Sequence, residues 1–145
     1  PPRSTLFPYT TLFRSDTDLE AYIPDILSFG IASFTAEHDK AESDINRKLK
    51  VDWYRTTGLS GDFTSSKLQS AQLLRASVYC TLGFYVFPQL TKWGEDKFEK
   101  QMKYYQTEYE KEIVNVIEDG VQYDIDGDSS ISSSETIHKQ NRLIR

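Results

Sequence analysis

Apolar residues return at helical spacing in four segments of the chain, and no segment of useful length alternates as a strand would. Between residues 35 and 54, Ala41, Ile45, Leu49 and Trp53 recur every four residues with charged residues between them. That pattern predicts an amphipathic helix. From 65 to 87, Leu68, Ala71, Leu74, Val78, Leu82, Tyr85 and Val86 keep the spacing, while Leu73, Ala76, Tyr79 and Cys80 widen the stripe around the helix. A helix apolar on most of its circumference belongs at the centre of a bundle. Pro88 is expected to close or bend it. Residues 95–119 carry a third long seam of Phe98, Met102, Tyr105, Tyr109, Ile113 and Val116, with Glu95 and Asp96 at the positive helix end. A short opening helix follows the capping-box pattern Thr17-Asp-Leu-Glu20 and carries Leu19, Tyr22 and Ile23. Pro24, which lacks an N–H, should end it. Gly30, Gly58, the Gly61-Asp62 pair and Gly120 punctuate the pattern. The expected fold is all-α, a small antiparallel helical bundle with an extended C-terminal arm.

Residues 1–15 stand apart. Thr5-Leu-Phe-Pro-Tyr-Thr-Thr-Leu-Phe-Arg-Ser15 resembles the translation of a short-read sequencing adapter, and it has neither the apolar stretch nor the cleavage site of a secretory leader. The expected division is a non-native adapter-derived segment at 1–15, a helical bundle domain at 16–123, and an Asp/Ser-rich loop with a C-terminal docking arm at 124–145.

Composition narrows the function classes. A chain of 145 residues, 38% hydrophobic and 13% aromatic, is long enough for one real core and too apolar for disorder. The single Cys80 excludes an intrachain disulfide and an all-cysteine metal site. The longest apolar run, Val78–Phe87, is too short to cross a bilayer, so no membrane partner is expected. The net charge is −5; without Arg3 and Arg14 of the leading segment it becomes −7, a balance that argues against specific nucleic-acid binding.

Catalytic constellations are not apparent. His38 lies in Glu37-His-Asp-Lys40, read as a solvated helix face, His138 lies in a polar tail, and Cys80 lies inside an apolar helix. No nucleophile stands at a recognisable spacing from either histidine, and no glycine-rich phosphate loop precedes a helix. The expectation is that the protein is not an enzyme. Tyr104, Tyr105 and Tyr109 could stack on bases, but their helical spacing favours packing into a core.

The sharpest local signal is Asp124-Ile-Asp-Gly-Asp-Ser-Ser-Ile-Ser-Ser-Ser-Glu135, which resembles a twelve-residue EF-hand calcium loop. Ca2+ takes six to eight hard oxygens, and alternate residues of a tightly curled loop aim at one centre. Asp124, Asp126 and Asp128 hold the first, third and fifth places. Ser130 would offer its carbonyl, Ser132 would act directly or through water, and Glu135 sits where a bidentate carboxylate belongs. Ser129 departs from the pattern, because the sixth place needs a left-handed residue and a non-glycine there costs about 1–2 kcal/mol. A short helix is expected after Glu135, and no second hand follows. Two readings stand at this point, weak calcium binding or an acidic Asx-type surface turn. In His138-Lys-Gln-Asn-Arg-Leu-Ile-Arg145, the residues Lys139, Arg142, Leu143, Ile144 and Arg145 read either as a partner-docking arm or as a solvated end.

The order of these features resembles a known family. A Pro-broken opening helix precedes a patterned helix ending in Trp53-Tyr54; then come Leu68-Gln-Ser-Ala-Gln-Leu-Leu-Arg-Ala-Ser-Val-Tyr79 and Tyr104-Tyr-Gln-Thr-Glu-Tyr-Glu-Lys-Glu-Ile113, an Asp-rich loop, and a final Arg-Leu-Ile-Arg145. This is similar to the head–tail connector (head completion, or neck adaptor) proteins of tailed bacteriophages. The resemblance implies a non-catalytic virion structural protein, assembled in the host cytoplasm as a homo-oligomeric ring in the neck. Its partners would be the portal protein and the neck or tail proteins, with Lys139, Arg142, Leu143, Ile144 and Arg145 as portal contacts. The alternative, from a different class, is a calcium-binding EF-hand-like helical interaction module.

Overall fold

The computed structural model describes residues 15–29, 31, 33–91 and 96–140. Gly30, Glu95, Arg142, Leu143, Ile144, Arg145 and all but the last residue of the adapter-like segment lie outside the described residues. The fold is mostly helical. Helix α1 spans Asp16–Tyr22. Its capping box is formed by Ser15 and Asp18, two residues ahead of the expected Thr17 and Glu20. Starting at Asp16 turns Leu19 into the core and brings the Asp16 carboxylate to the next helix.

Helix α2 begins as Thr35–Leu49, widens into a π-helical stretch at Lys50–Tyr54 and finishes as Arg55–Thr57. The wider turn shifts the phase of the ladder, so neighbours Trp53 and Tyr54 are both buried. The hydroxyls of Thr56 and Thr57 donate to the Trp53 and Tyr54 carbonyls at 2.7 and 2.8 Å, and Gly58 ends the helix in the left-handed region at φ 74°.

Helix α3 does not start at residue 65. Ser65–Lys67 is a single 3-10 turn, Leu68 pairs as an extended residue with Tyr123, and the helix opens at Ser70. Leu68 is therefore buried from an extended segment. The phase of the stripe is then set by Leu73 and Ala76, leaving Ala71 and Leu74 exposed. Pro88 does not close the helix either. Ser70–Cys80 runs into a π-helical stretch, Thr81–Val86, and on through Phe87–Leu90. Pro88 thus falls in the first turn of a new helical stretch, where a missing N–H is tolerated. Gln89 Nε2 donates to the Tyr85 carbonyl at 2.9 Å within this region.

Helix α4 spans Asp96–Asp119 and packs along α3. Phe98, Tyr109, Ile113 and Val116 are buried and Tyr105 is partly so, but Tyr104 is 56% exposed and does not join the seam. The two helices approach closely at Gly83. A Cβ there would lie 2.7 Å from the Gln106 backbone nitrogen, and Gln106 Nε2 donates to the Gly83 carbonyl at 2.9 Å.

Two clusters make up the core of the described residues. The first joins Ala41, Ile45, Leu49 and Trp53 of α2 to Leu73, Ala76 and Cys80 of α3 and to Tyr109 and Ile113 of α4. The second joins Leu19, Ile26 and Phe34 to Val78, Leu82, Val86 and Phe87 of α3 and to Phe98 of α4. The all-helical expectation misses one detail: strand β1, Val121–Gln122, pairs antiparallel with β2, Thr136–Ile137. Two-residue strands are too short to register as alternation. None of the described helices is long and apolar enough to cross a membrane.

His38 is not on a solvated face. It is 4% exposed, and its Nε2 lies 2.9 Å from Asp16 Oδ1. The same carboxylate oxygen accepts the Phe34 N–H at 3.1 Å, tying α1 to the start of α2. Burial pushes the Asp16 carboxyl upward, but the hydrogen bonds from His38 and Phe34 outweigh it and hold the group below its usual value. The depressed value means Asp16 stabilises the fold above its unfolded pKa, and that stability disappears as pH falls through the folded one. Asp16→Ala is therefore expected to cost about 1–3 kcal/mol near neutrality by urea unfolding. Parent and variant should converge in strong acid; a gap that persists there would refute this role.

Candidate cation loop and C-terminal segment

The loop at 124–135 hangs between β1 and β2, on a stem fixed from several sides. Gly120, at φ 97°, turns the chain from α4 into β1, and an added Cβ would lie 2.8 Å from Thr136 Cγ2. The Tyr123 N–H donates to the Glu135 carbonyl at 3.0 Å, and the Asp124 N–H donates to the Lys67 carbonyl at 2.8 Å. From α3, the Gln72 side chain behaves like an added strand residue. Its Nε2 donates to the Gly120 carbonyl at 2.7 Å, and its Oε1 accepts the Gln122 N–H at 3.0 Å.

Within the loop, carboxylates organise the backbone. Asp124 Oδ1 accepts the Gly127 and Asp128 N–H groups at 3.0 and 3.2 Å, and its Oδ2 accepts the Ser129 N–H at 2.9 Å. That last bond helps hold Ser129 at φ 66°, the left-handed conformation that the calcium-loop pattern demands of its sixth residue. Asp128 Oδ1 accepts the N–H and the hydroxyl of Ser130 at 2.9 and 3.1 Å. Glu135 is 3% exposed. Its Oε1 accepts the Ile125 and Asp126 N–H groups, and its Oε2 accepts both the N–H and the hydroxyl of Ser132.

The outcome is a cluster in which one carboxylate oxygen each from Asp124, Asp126, Asp128 and Glu135 lies within 4.8 Å of the others. The electrostatics follow the hydrogen bonds. Donation from Ser132, with help from Asp126 and Ile125, outweighs burial and holds the Glu135 carboxyl low. Donation from Ser130 does the same for Asp128. For Asp126, the Asp128 N–H favours the charged form, but desolvation and the neighbouring carboxylates win, and its value rises.

Four hard anionic oxygens converging in a curled loop suit Ca2+. The structure brings together the four carboxylate residues of the expected ligand set. The Ser132 hydroxyl is engaged with Glu135 at 3.1 Å. The short helix expected after Glu135 is not found among the described residues: Ser132 caps a 3-10 turn at Ser133–Glu135, which leads directly into β2. A strand flanks the loop on each side, because the backbone after Glu135 pairs with β1 instead of coiling.

The segment after the loop is held to α2. Trp53 Nε1 donates to the Ile137 carbonyl at 2.8 Å, and the Gln140 N–H donates to Thr56 Oγ1 at 3.1 Å. His138 Nδ1 lies 3.2 Å from the Glu118 carbonyl. Lys139 is exposed. Trp53, Thr56, Lys67 and Gln72 were not marked as site residues by the sequence. Their roles depend on backbone partners distant along the chain, which no spacing rule reveals. Compared with known proteins, the chain matches no family model, no curated protein and no solved structure.

Proposed function

We propose that this chain is a phage virion structural protein, a head–tail connector that forms one unit of a homo-oligomeric ring between portal and tail. In this reading the helices form a small antiparallel bundle, and the protein acts by assembly, without catalysis. The order of sequence features supports the family. The observation that carries the assembly role is the route of the C-terminal segment, which Trp53 and Thr56 hold on α2 and which stands at the surface at Lys139. Lys139, Arg142, Leu143, Ile144 and Arg145 would then grip the portal, and another face would receive the neck or tail protein. The ring would sit in the virion neck after assembly in the host cytoplasm. Its acidic balance would repel passing DNA instead of binding it.

Light scattering after size-exclusion chromatography tests the reading, on residues 16–145 alone and with a phage portal protein added. A ring, or a stable complex with the portal, is expected. Removing residues 141–145 should abolish portal capture while leaving the helical circular-dichroism signal intact. A monomer that ignores the portal would overturn the proposal.

A second reading, a calcium-binding EF-hand-like module, is favoured by the convergence of the four carboxylates. The Ser129 backbone predicts weak affinity, with a dissociation constant of about 10⁻⁴–10⁻³ M. Titration calorimetry should give a signal with calcium that Asp124→Ala combined with Glu135→Ala abolishes. A flat calcium titration of the parent chain ends this reading and leaves the acidic turn in its place. The two readings are compatible, since a bound ion would fix the direction in which the arm leaves the body.

A further inference from the structure

Two aspartates among the described residues precede a glycine: Asp119 at the end of α4, and Asp126 in the loop. The Asp–Gly step has a chemistry of its own, because a glycine nitrogen unshielded by a neighbouring side chain can reach the aspartyl γ-carbon and close a five-membered imide. The two steps sit in opposite surroundings. At the first, the Gly120 N–H is bonded to the Ile117 carbonyl at 3.4 Å, Thr136 and His138 fill the space where a Cβ on Gly120 would sit, and β1 begins at the next residue. Ring closure there requires fraying α4 and unpairing β1 from β2. At the second, Asp126 and Gly127 are both exposed, and nothing lies within 4 Å of where a Cβ on Gly127 would sit. The restraints on the step itself are bonds to carboxylates: the Gly127 N–H to Asp124 Oδ1 and the Asp128 N–H to Asp126 Oδ1, both exposed and 3.0 Å long, and the part-buried Asp126 N–H to Glu135 Oε1 at 3.2 Å. Bonds of that kind open at little cost compared with a packed helix end.

We propose that Asp126 is a site of spontaneous backbone isomerisation in the folded protein and that Asp119 is protected from it. The Gly127 nitrogen attacks the Asp126 γ-carboxyl carbon, forming an N–Cγ bond, and the amide proton and carboxyl hydroxyl leave as one water. Water then adds to the main-chain carbonyl of Asp126 and breaks its bond to the Gly127 nitrogen. The chain now runs through the former side chain, with one extra methylene in the backbone and a free α-carboxylate. One water is lost and one is gained, so the mass is unchanged and no other reactant is needed. The new backbone lengthens the loop and displaces the carboxylate that accepts the Asp128 N–H.

The test holds the full chain in metal-free neutral buffer at physiological temperature, with a parallel sample in concentrated urea. Peptide mapping with electron-transfer fragmentation locates isoaspartate by its diagnostic backbone cleavage. In urea both positions should isomerise at similar rates. In the folded chain Asp126 should convert at least about tenfold faster than Asp119. Equal rates at the two positions in the folded chain, or an Asp126 that converts in urea but not when folded, would overturn the proposal.

Discussion

Gly83→Ala is expected to destabilise the protein by about 2–3 kcal/mol, although helix propensity alone predicts the opposite sign. Glycine inside a helix costs about 1 kcal/mol relative to alanine, so an alanine in an open position would stabilise. Gly83 is not in an open position. A Cβ would stand 2.7 Å from the Gln106 nitrogen and 3.0 Å from the Tyr105 carbonyl carbon, and both are backbone atoms of α4 that no rotamer change can move. Separating the helices also lengthens the bond between Gln106 Nε2 and the Gly83 carbonyl. Chemical denaturation should show the loss as a lower urea midpoint with an unchanged slope. A midpoint equal to or above that of the parent would mean that α3 and α4 are not held so close.

The second large effect is at Trp53, which is fully buried at the join between core and C-terminal segment. Trp53→Ala removes a large side chain from the first cluster and is expected to cost about 3–5 kcal/mol. Trp53→Phe separates the two roles of the residue. It keeps most of the apolar volume but loses the donor to the Ile137 carbonyl. The phenylalanine variant should retain the helical circular-dichroism signal while amide protection at residues 136–140 falls, read by hydrogen exchange. Protection unchanged in that segment would show that the β1–β2 pairing alone secures it.

The parts of the fold legible in the sequence are those where a long period repeats. The seams of α2 and α4, the burial of Trp53 and the break after Tyr22 follow from spacing and from Pro24. Expectations failed where a local rule met a distant partner. His38 looked solvated because its flanking residues are charged, and Asp16, from another helix, helps to make its burial tolerable. Pro88 looked like a stop, but a π-helical stretch ahead of it placed the ring where a helix accepts one. Leu68 fitted the helical stripe yet serves an extended segment that pairs with Tyr123. The calcium-loop pattern was legible at four carboxylates, from the two-residue spacing of Asp124, Asp126 and Asp128 and the twelfth place of Glu135. The replacement of the following helix by β2 was not legible, because its partner β1 lies on the far side of the loop.

Alternate sides of α3 supply both clusters, with Leu73, Ala76 and Cys80 in one and Val78, Leu82 and Val86 in the other. Neither half of the interior could therefore persist as a separately folded remnant, since losing one uncovers the helix on which the other is built. Heating should accordingly produce one cooperative transition, with calorimetric and van't Hoff enthalpies in agreement.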